Sequence, residues 1–193
     1  MKNTEKGGLT STPPDVKQNI ASARTAFAGK KYGEAKFAVK QALLGVELEI
    51  GQNLLKSLPD KVDGLPKVPE EDQVKSSGAG FIGLQIDRVF RDDKKELALN
   101  ILNDANISMG INMYLNNPGY SSQGNSEGKK TVMFKGNKGL LEFNEDEGYT
   151  LHVPIGQTSL FIVKGVNYKS EADFMNAANQ FDIQKIKTEL GEK

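Results

Sequence analysis

Apolar residues recur with a helical period along the first quarter of the chain. After Asp15 they fall on one stripe of an amphipathic helix, and glycines in "AGKKYGE" then turn the chain. A second, longer helix is predicted from about Tyr32 to about Leu55. The stripe of the first helix consists of Val16, Ile20, Ala23 and Phe27.

The second helix has two apolar stripes and must therefore bury against two neighbours. We expect one neighbour to be the first helix, in an antiparallel hairpin over residues 14–58, and the other to be the rest of the protein. The first stripe consists of Ala35, Val39, Ala42, Val46, Ile50 and Leu54, and the second of Leu44, Leu48 and Leu55.

The period changes from helical to alternating after residue 80. Residues 59–79 carry three prolines and many charges without periodicity, and we predict a linker there. Two alternating runs on either side of "RDDKKE" then predict a β-hairpin. Their apolar positions are Ile82, Leu84, Ile86, Leu97, Leu99 and Ile101.

The last third of the chain predicts four more strands and a closing helix. "ISMGINMYLNNP" is typical of a short helix ended by Asn117-Pro118, and we expect residues 117–130 to be the most mobile internal loop. Short strands are predicted around "TVMFKG", "GLLEFN", "YTLHVPI" and "SLFIVKGVN". Ser170 and Asp173 form a capping box that opens the final helix. Its predicted buried face consists of Phe174, Ala178 and Phe181.

These elements predict an α+β fold, because strands follow one another without alternating βα units. We expect an N-terminal helical hairpin packed on an antiparallel sheet of about six strands, with a C-terminal helix. The predicted organisation is a flexible tether (1–13), the hairpin (14–58), the linker (59–79) and an antiparallel α+β domain (80–193).

Charge and composition exclude several classes of function. Lys+Arg and Asp+Glu both number 25, and neither side of Gly80 has the basic excess that a phosphate backbone requires, so we expect no nucleic-acid partner. No apolar run approaches the roughly 20 residues of a transmembrane helix. The absence of cysteine excludes disulfides and thiolate sites. "MKNTEKGGLTSTPPD" lacks a signal-peptide core, so it is either a native cytosolic start or the new N-terminus left by removal of a signal segment.

Residues 78–83, "GAGFIG", match the spacing of dinucleotide-binding loops, including that of sugar-nucleotide epimerases. Such loops need a buried parallel strand before them and a helix after them. Here "EEDQVKSS" is too polar for a buried strand, and "FIGLQIDRVF" alternates as a strand. Asp104 falls at the ribose position but in a turn, and the Tyr-x-x-x-Lys match at Tyr32 and Lys36 precedes the loop. We therefore predict an edge strand beginning here and no cofactor.

Three further groups of residues could carry chemistry, but each has a simpler structural interpretation. His152, the only histidine, lies on the strand face opposite Tyr149, Leu151 and Val153, and no sequence signature pairs it with a nucleophile. Met109 and Met113, beside Tyr114, could hold a soft metal but more often fill a core. The acidic stretches at 92–93 and 144–148 lack calcium-loop spacing and predict solvated turns. We assign no catalytic, cofactor-binding or metal-binding residue.

The chain resembles a group of uncharacterised exported bacterial proteins over about residues 46–190. The resemblance rests on the helix exit "LLKSLP" with "VDGLPKV", the glycine-rich "SSGAGFIG", the segment "ISMGINMYLNNP" and the closing "FDIQKI". The chain lacks a Trp after Gly64 and a Pro before Met109 that belong to the group's pattern. Its layout is also similar to the Mog1/PsbP-like fold. The resemblance implies export to the periplasm or cell envelope and transfers no functional residue; a cytoplasmic location is the alternative.

Three functions are compatible with these patterns. The first is a non-enzymatic envelope protein that binds a protein or another partner. The second is a carrier of a hydrophobic ligand or lipid in a pocket between helix and sheet. The third is a hydrolase or oxidoreductase whose site is assembled from residues distant in sequence.

Overall fold

The structure, a computed structural model, describes residues 13–77, 83–103, 107–116 and 128–192. It has two compact units, Met1–Val46 and Glu47–Lys193. The α+β class is confirmed, with a helical hairpin, an antiparallel sheet and helices at the C-terminal end. Among these residues no helix combines the length and apolar character needed to cross a bilayer. The predicted tether, apart from residue 13, lies outside the described residues, as do Ile82 and most of the predicted 117–130 loop.

The helices and strands have well-defined bounds. The helices are α1 (Val16–Ala28), α2 (Tyr32–Ser57), α3 (Ile107–Asn116), α4 (Glu171–Ala178) and α5 (Ile183–Glu189), with a 3-10 turn at Pro69–Glu71. The strands are β1 (Lys61–Val62), β2 (Leu65–Pro66), β3 (Gln73–Ser76), β4 (Leu84–Arg91), β5 (Glu96–Asn103), β6 (Lys129–Phe134), β7 (Asn137–Asn144), β8 (Gly148–Ile155) and β9 (Ser159–Val166).

The first unit is a helical hairpin held together by small residues. Asp15 caps α1 by accepting a hydrogen bond from the Gln18 amide at 2.7 Å, and Gly29 caps its other end. Gly45 allows the backbone at Pro14 to approach closely, since a Cβ there would lie 2.6 Å from the Pro14 carbonyl oxygen. The buried alanines of the hairpin are Ala23, Ala26, Ala35, Ala38 and Ala42.

The predicted apolar stripes of the hairpin are wrong in part. Ile20 is 58% exposed and Phe27 is 66% exposed, whereas both were expected to be buried. Val39 of α2 is exposed as well. Alanine allows two helix backbones to approach closely, so large side chains are displaced to the flanks of the contact. A pattern that weights residues by hydrophobicity selects the large residues instead.

The second unit is built on a seven-stranded sheet with the order β3-β4-β5-β9-β8-β7-β6, antiparallel throughout. The hairpin predicted around "RDDKKE" is β4–β5, and the four later strands are β6 to β9, as predicted. The last turns of α2 belong to this unit, because Leu54 and Leu58 lie in its core. The small sheet β1–β2 adds Val62 and Leu65 to the same core.

Aromatic rings fill the space between the sheet and α4 and α5. Phe161 contacts Phe134 and Phe181, with ring centroids 5.9 and 5.7 Å apart. Phe174 stacks on Tyr149 at 5.3 Å. The predicted buried face of the closing helix, Phe174, Ala178 and Phe181, is confirmed. The helix is interrupted after Ala178, however, and restarts as α5 with Asp182 as its cap.

The segment predicted as a linker is ordered. Between residues 60 and 77 it forms β1, β2, the 3-10 turn and the edge strand β3. At least one charged residue of this segment has a structural role. The carboxylate of Asp72 pairs at 2.5 Å with Arg88, which is 3% exposed. Arg88 also donates to the Leu58 carbonyl at 3.3 Å. The sequence pattern could not show this pair, because its members are 16 residues apart.

The other face of the sheet is covered in part by α3. Ile111 packs against a small buried cluster of Leu102 and Leu160, with Ile162 beside it. α3 ends at Asn116, immediately before the predicted stop at Asn117-Pro118. The C-terminal half of α3 lies close to the β6–β7 turn and the β8–β9 turn, at one end of the sheet.

Candidate functional site

His152 has a carboxylate partner on the second face of the sheet. Its Nε2 lies 3.1 Å from Oε2 of Glu142 on the neighbouring strand β7, and Lys129 of β6 pairs with the same carboxylate. The prediction that His152 faces away from Leu151 and Val153 is confirmed, since those two residues are fully buried in the core. Sequence reasoning missed Glu142. The β7–β8 register, with Asn144 opposite Gly148, places it on the same face.

Electrostatics favour the neutral form of His152. Burial lowers its pKa below the ordinary value, and the attraction of Glu142 offsets only part of that effect. Burial alone would raise the pKa of Glu142, but Lys129 and then His152 hold it below its usual value. His152 Nδ1 is shielded from solvent and has no hydrogen-bond partner in the described residues. A shielded nitrogen cannot take a proton from a substrate, so this network is a poor acid–base centre in this conformation.

A cleft of about 390 Å³ opens where α3, the β6–β7 turn, the β8–β9 turn and α5 meet. We call it the amide cleft, because four residues with amide side chains line it together with two lysines. These residues are Asn112, Asn116, Asn137, Gln157, Lys138 and Lys187. Gly136 and Gly156, with φ of 81° and 67°, form the two turns at its rim.

The local sequence explains why these side chains converge. Asn112 and Asn116 are four residues apart on α3 and therefore share one helix face. Asn137 and Lys138 follow directly after the tight turn at Lys135 and Gly136, both of which have positive φ. Sequence reasoning missed this group, because its members come from distant segments and none has a distinctive spacing.

The amide cleft offers donors and positive charge. Within the described residues neither Lys138 nor Lys187 forms an ion pair with a carboxylate, so both ammonium groups are available to an anion. An Asn amide supplies two N–H donors and one acceptor, and that of Asn137 already donates to the Lys135 carbonyl at 3.2 Å. Among the described residues, the lining includes no histidine, carboxylate or hydroxyl side chain.

Beside the amide cleft, the carboxylate of Glu192 is bound in the β8–β9 turn, in a site that we call the cradle. Its carboxylate accepts hydrogen bonds from the amides of Gln157 and Thr158 at 2.9 and 3.2 Å and from the Ser159 hydroxyl at 2.6 Å. Burial alone would raise the pKa of Glu192, but these bonds hold it below the usual value. Gly156 has a positive φ of 67°, and a Cβ there would lie 2.1 Å from the carboxylate, so a larger residue would strain the turn and displace Glu192. The turn is thus occupied by one of the protein's own carboxylates.

A second, smaller pocket of about 200 Å³ lies at the β6 edge. Its apolar part consists of Leu141, Phe143 and Tyr149, with the two rings 4.6 Å apart. At its rim Lys130 pairs with Glu171 at 2.6 Å. The charges at this rim are thus already neutralised within the protein.

The "GAGFIG" residues lie in a different context from a phosphate loop. β3 and β4 flank them and pair antiparallel, and the Ser77 amide donates to the Gly83 carbonyl at 3.3 Å. The prediction of a strand after them is confirmed by β4, but β4 lies between β3 and β5 in the sheet, so the expectation of an edge strand is wrong. Residues 78–82 and Asp104 themselves lie outside the described residues.

The other sequence candidates are separated in the structure. Tyr32 and Lys36 are in the first turns of α2, in the first unit, and Tyr32 is exposed. Met109 and Met113 are 66% and 68% exposed, so the interpretation of this pair as core filling is wrong. The described residues contain no group of three His, Cys, Asp or Glu side chains that could hold a metal ion.

The two acidic stretches are turns. Asp92 accepts hydrogen bonds from the amides of Lys94 and Lys95, both at 2.8 Å, and these bonds lower the pKa of its carboxyl. Asn144 accepts from the Asp146 amide at 2.8 Å in the β7–β8 turn. In both turns the side-chain oxygen is thus used by the backbone.

Comparisons of the chain with protein-family models, curated proteins and solved structures found no match. The candidate site therefore has to be argued from its own geometry.

Proposed function

We propose that this chain is a non-enzymatic binding module whose amide cleft takes a small polar ligand carrying a carboxylate or phosphate. The observation that carries the proposal is the convergence of four residues with amide side chains and two ammonium groups, which have no ion-pair partner among the described residues, on one cleft of about 390 Å³. This volume lies within the roughly 300–1,000 Å³ typical of small-molecule sites.

The chemistry of the lining supports an anion that also carries hydroxyl groups. Lys138 and Lys187 provide charge-assisted hydrogen bonds, which are about twice as strong as neutral ones. The amides of Asn112, Asn116 and Asn137 can both donate to and accept from hydroxyl groups. A sugar acid or a sugar phosphate combines these features, and its ring could lie on Leu115 and Pro154.

The lining favours binding over turnover. General acid–base or nucleophilic catalysis needs a histidine, carboxylate, hydroxyl or thiol within hydrogen-bond reach of the ligand. The lining offers amides, lysines, Leu115, Pro154 and two glycines instead. Export to the periplasm or cell envelope, which the family resemblance implies, belongs to the same proposal.

A carrier of hydrophobic ligands is the alternative, and the pocket at the β6 edge is the observation that favours it. Phe143 and Tyr149 give it an apolar lining, but its volume of about 200 Å³ is below the usual range for a ligand site. Native mass spectrometry of protein purified from its host distinguishes the two proposals. A co-purified lipid supports the carrier.

The direct test is calorimetric titration with glucuronate, glucose 6-phosphate and, as an uncharged control, glucose. We expect binding of one of the charged sugars, weakened about tenfold or more in Lys138→Gln and in Lys187→Gln, because a hydrogen bond to a charged group contributes about 1.5–3 kcal/mol. The matched control is Lys169→Gln, an exposed lysine of the same unit outside the cleft, and it should leave binding unchanged. Binding that ignores both cleft substitutions, or no binding at millimolar ligand, would contradict the proposal.

A further inference from the structure

The end of the helical hairpin presents two aromatic rings to solvent. Phe27 is 66% exposed and Tyr32 is 60% exposed, and their centroids lie 5.6 Å apart in an edge-to-face arrangement. Between them the chain turns through Gly29, Lys30 and Lys31. We call these residues, 27–32, the aromatic tip.

The rings are exposed because the hairpin packs through its alanines. With Ala26 and Ala35 buried between the helices, the large side chains project from the flanks. The exposure is not confined to the aromatic tip. The other exposed large apolar residues of the first unit are Ile20, Phe37, Val39, Leu43 and Val46. The two rings of the aromatic tip contact each other, and exposed apolar side chains grouped in this way mark an interaction site.

The first unit, which carries these exposed apolar residues, also carries an excess of basic residues, whereas the second unit has an acidic excess. Residues 1–46 contain eight Lys and Arg against three Asp and Glu, whereas residues 47–193 contain 17 against 22. In the aromatic tip, Lys31 pairs with Glu34 at 3.3 Å, but this pair is exposed and contributes little. Both lysines can therefore interact with an external anion.

We propose that the aromatic tip docks the protein on the surface of an anionic lipid bilayer. Tyr and Phe rings partition to the interface between headgroups and acyl chains, and adjacent lysines are attracted to anionic headgroups. A nucleic acid would use the lysines and the rings but leave the exposed aliphatic side chains of the first unit uncovered. In the docked state the rings lie at the level of the headgroups and the lysines contact the lipid phosphates. This inference is independent of ligand binding in the amide cleft.

The test is co-sedimentation of the full chain with vesicles. Vesicles of equimolar phosphatidylglycerol and phosphatidylcholine should bind the protein, and vesicles of phosphatidylcholine alone should bind it at least about tenfold less. Lys30→Gln with Lys31→Gln should weaken binding to the anionic vesicles about thirtyfold, since each lysine near such a surface contributes about 1 kcal/mol. Phe27→Ser with Tyr32→Ser should weaken it by at least about tenfold, because the apolar contribution is lost.

Met109→Ser with Met113→Ser is the matched control, because these side chains are as exposed as the two rings but belong to the second unit. Its binding should match that of the unchanged protein, and circular dichroism confirms that each variant retains its helices. Equal binding to both vesicle types, or the same affinity in all three variants, would overturn the proposal. So would a stable dimer that dissociates in the Phe27→Ser, Tyr32→Ser variant without vesicle binding, because the aromatic tip would then be an interface between copies.

Discussion

His152 couples the stability of the second unit to pH. Its folded-state pKa lies below the ordinary value of 6.5 because burial disfavours the charged imidazole. The unfolded chain therefore binds a proton at a higher pH than the folded protein does. The free energy of unfolding should consequently fall as the pH drops below about 6.5 and through the folded pKa, and this contribution is fully present only above that pH.

We predict that His152→Gln removes this part of the pH dependence. Urea unfolding at about pH 8 and about pH 5.5 should give a larger loss of stability at the lower pH for the unchanged protein than for the variant. The pKa of Glu192 is also lowered, but its contribution is lost only below about pH 4.5, its ordinary value. The two effects are thus separable. An NMR titration that placed the pKa of His152 above 6.5 would contradict the prediction.

Among the elements, the strands followed their sequence pattern more closely than the helices did. In β4 every second residue, from Leu84 to Phe90, points into the core, so simple alternation identified both faces. In the hairpin the buried positions are alanines, which a hydrophobicity pattern underweights relative to Ile20 and Phe27. The amide cleft could not be predicted either, because no local spacing links α3 to the turns that meet it.

Close packing in the hairpin predicts opposite effects of alanine substitution at two glycines of α2. A Cβ on Gly45 would lie 2.6 Å from the Pro14 carbonyl oxygen, whereas Gly33 has nothing within 4 Å of that position. Gly33→Ala should stabilise the hairpin by up to about 1 kcal/mol through helix propensity. Gly45→Ala should destabilise it, because the backbone at Pro14 must move, at a cost of about 1–3 kcal/mol. Amide hydrogen exchange over residues 13–46 measures both effects, and changes of the same sign would refute the packing argument.

At the scale of the whole molecule, α2 runs through both units. Its alanines serve the hairpin, whereas Leu54 in its last turns and Leu58, which directly follows it, belong to the core beneath the sheet. These two leucines are 0% and 7% exposed. The division between the units therefore falls inside this helix, after Val46. The sequence could not predict this division, because the apolar pattern of α2 continues without interruption past Val46.

Two truncations separate these roles of α2. Removing residues 1–46 leaves the core of the second unit complete, so the remainder should unfold in one cooperative transition. Removing residues 1–58 also takes away Leu54 and Leu58, and truncating such side chains typically costs about 2–5 kcal/mol each. Since a domain is stable by only about 5–15 kcal/mol, the shorter fragment should melt at a much lower temperature or fail to fold. Scanning calorimetry of the two fragments makes the comparison, and equal melting temperatures would show that the end of α2 contributes nothing to the core.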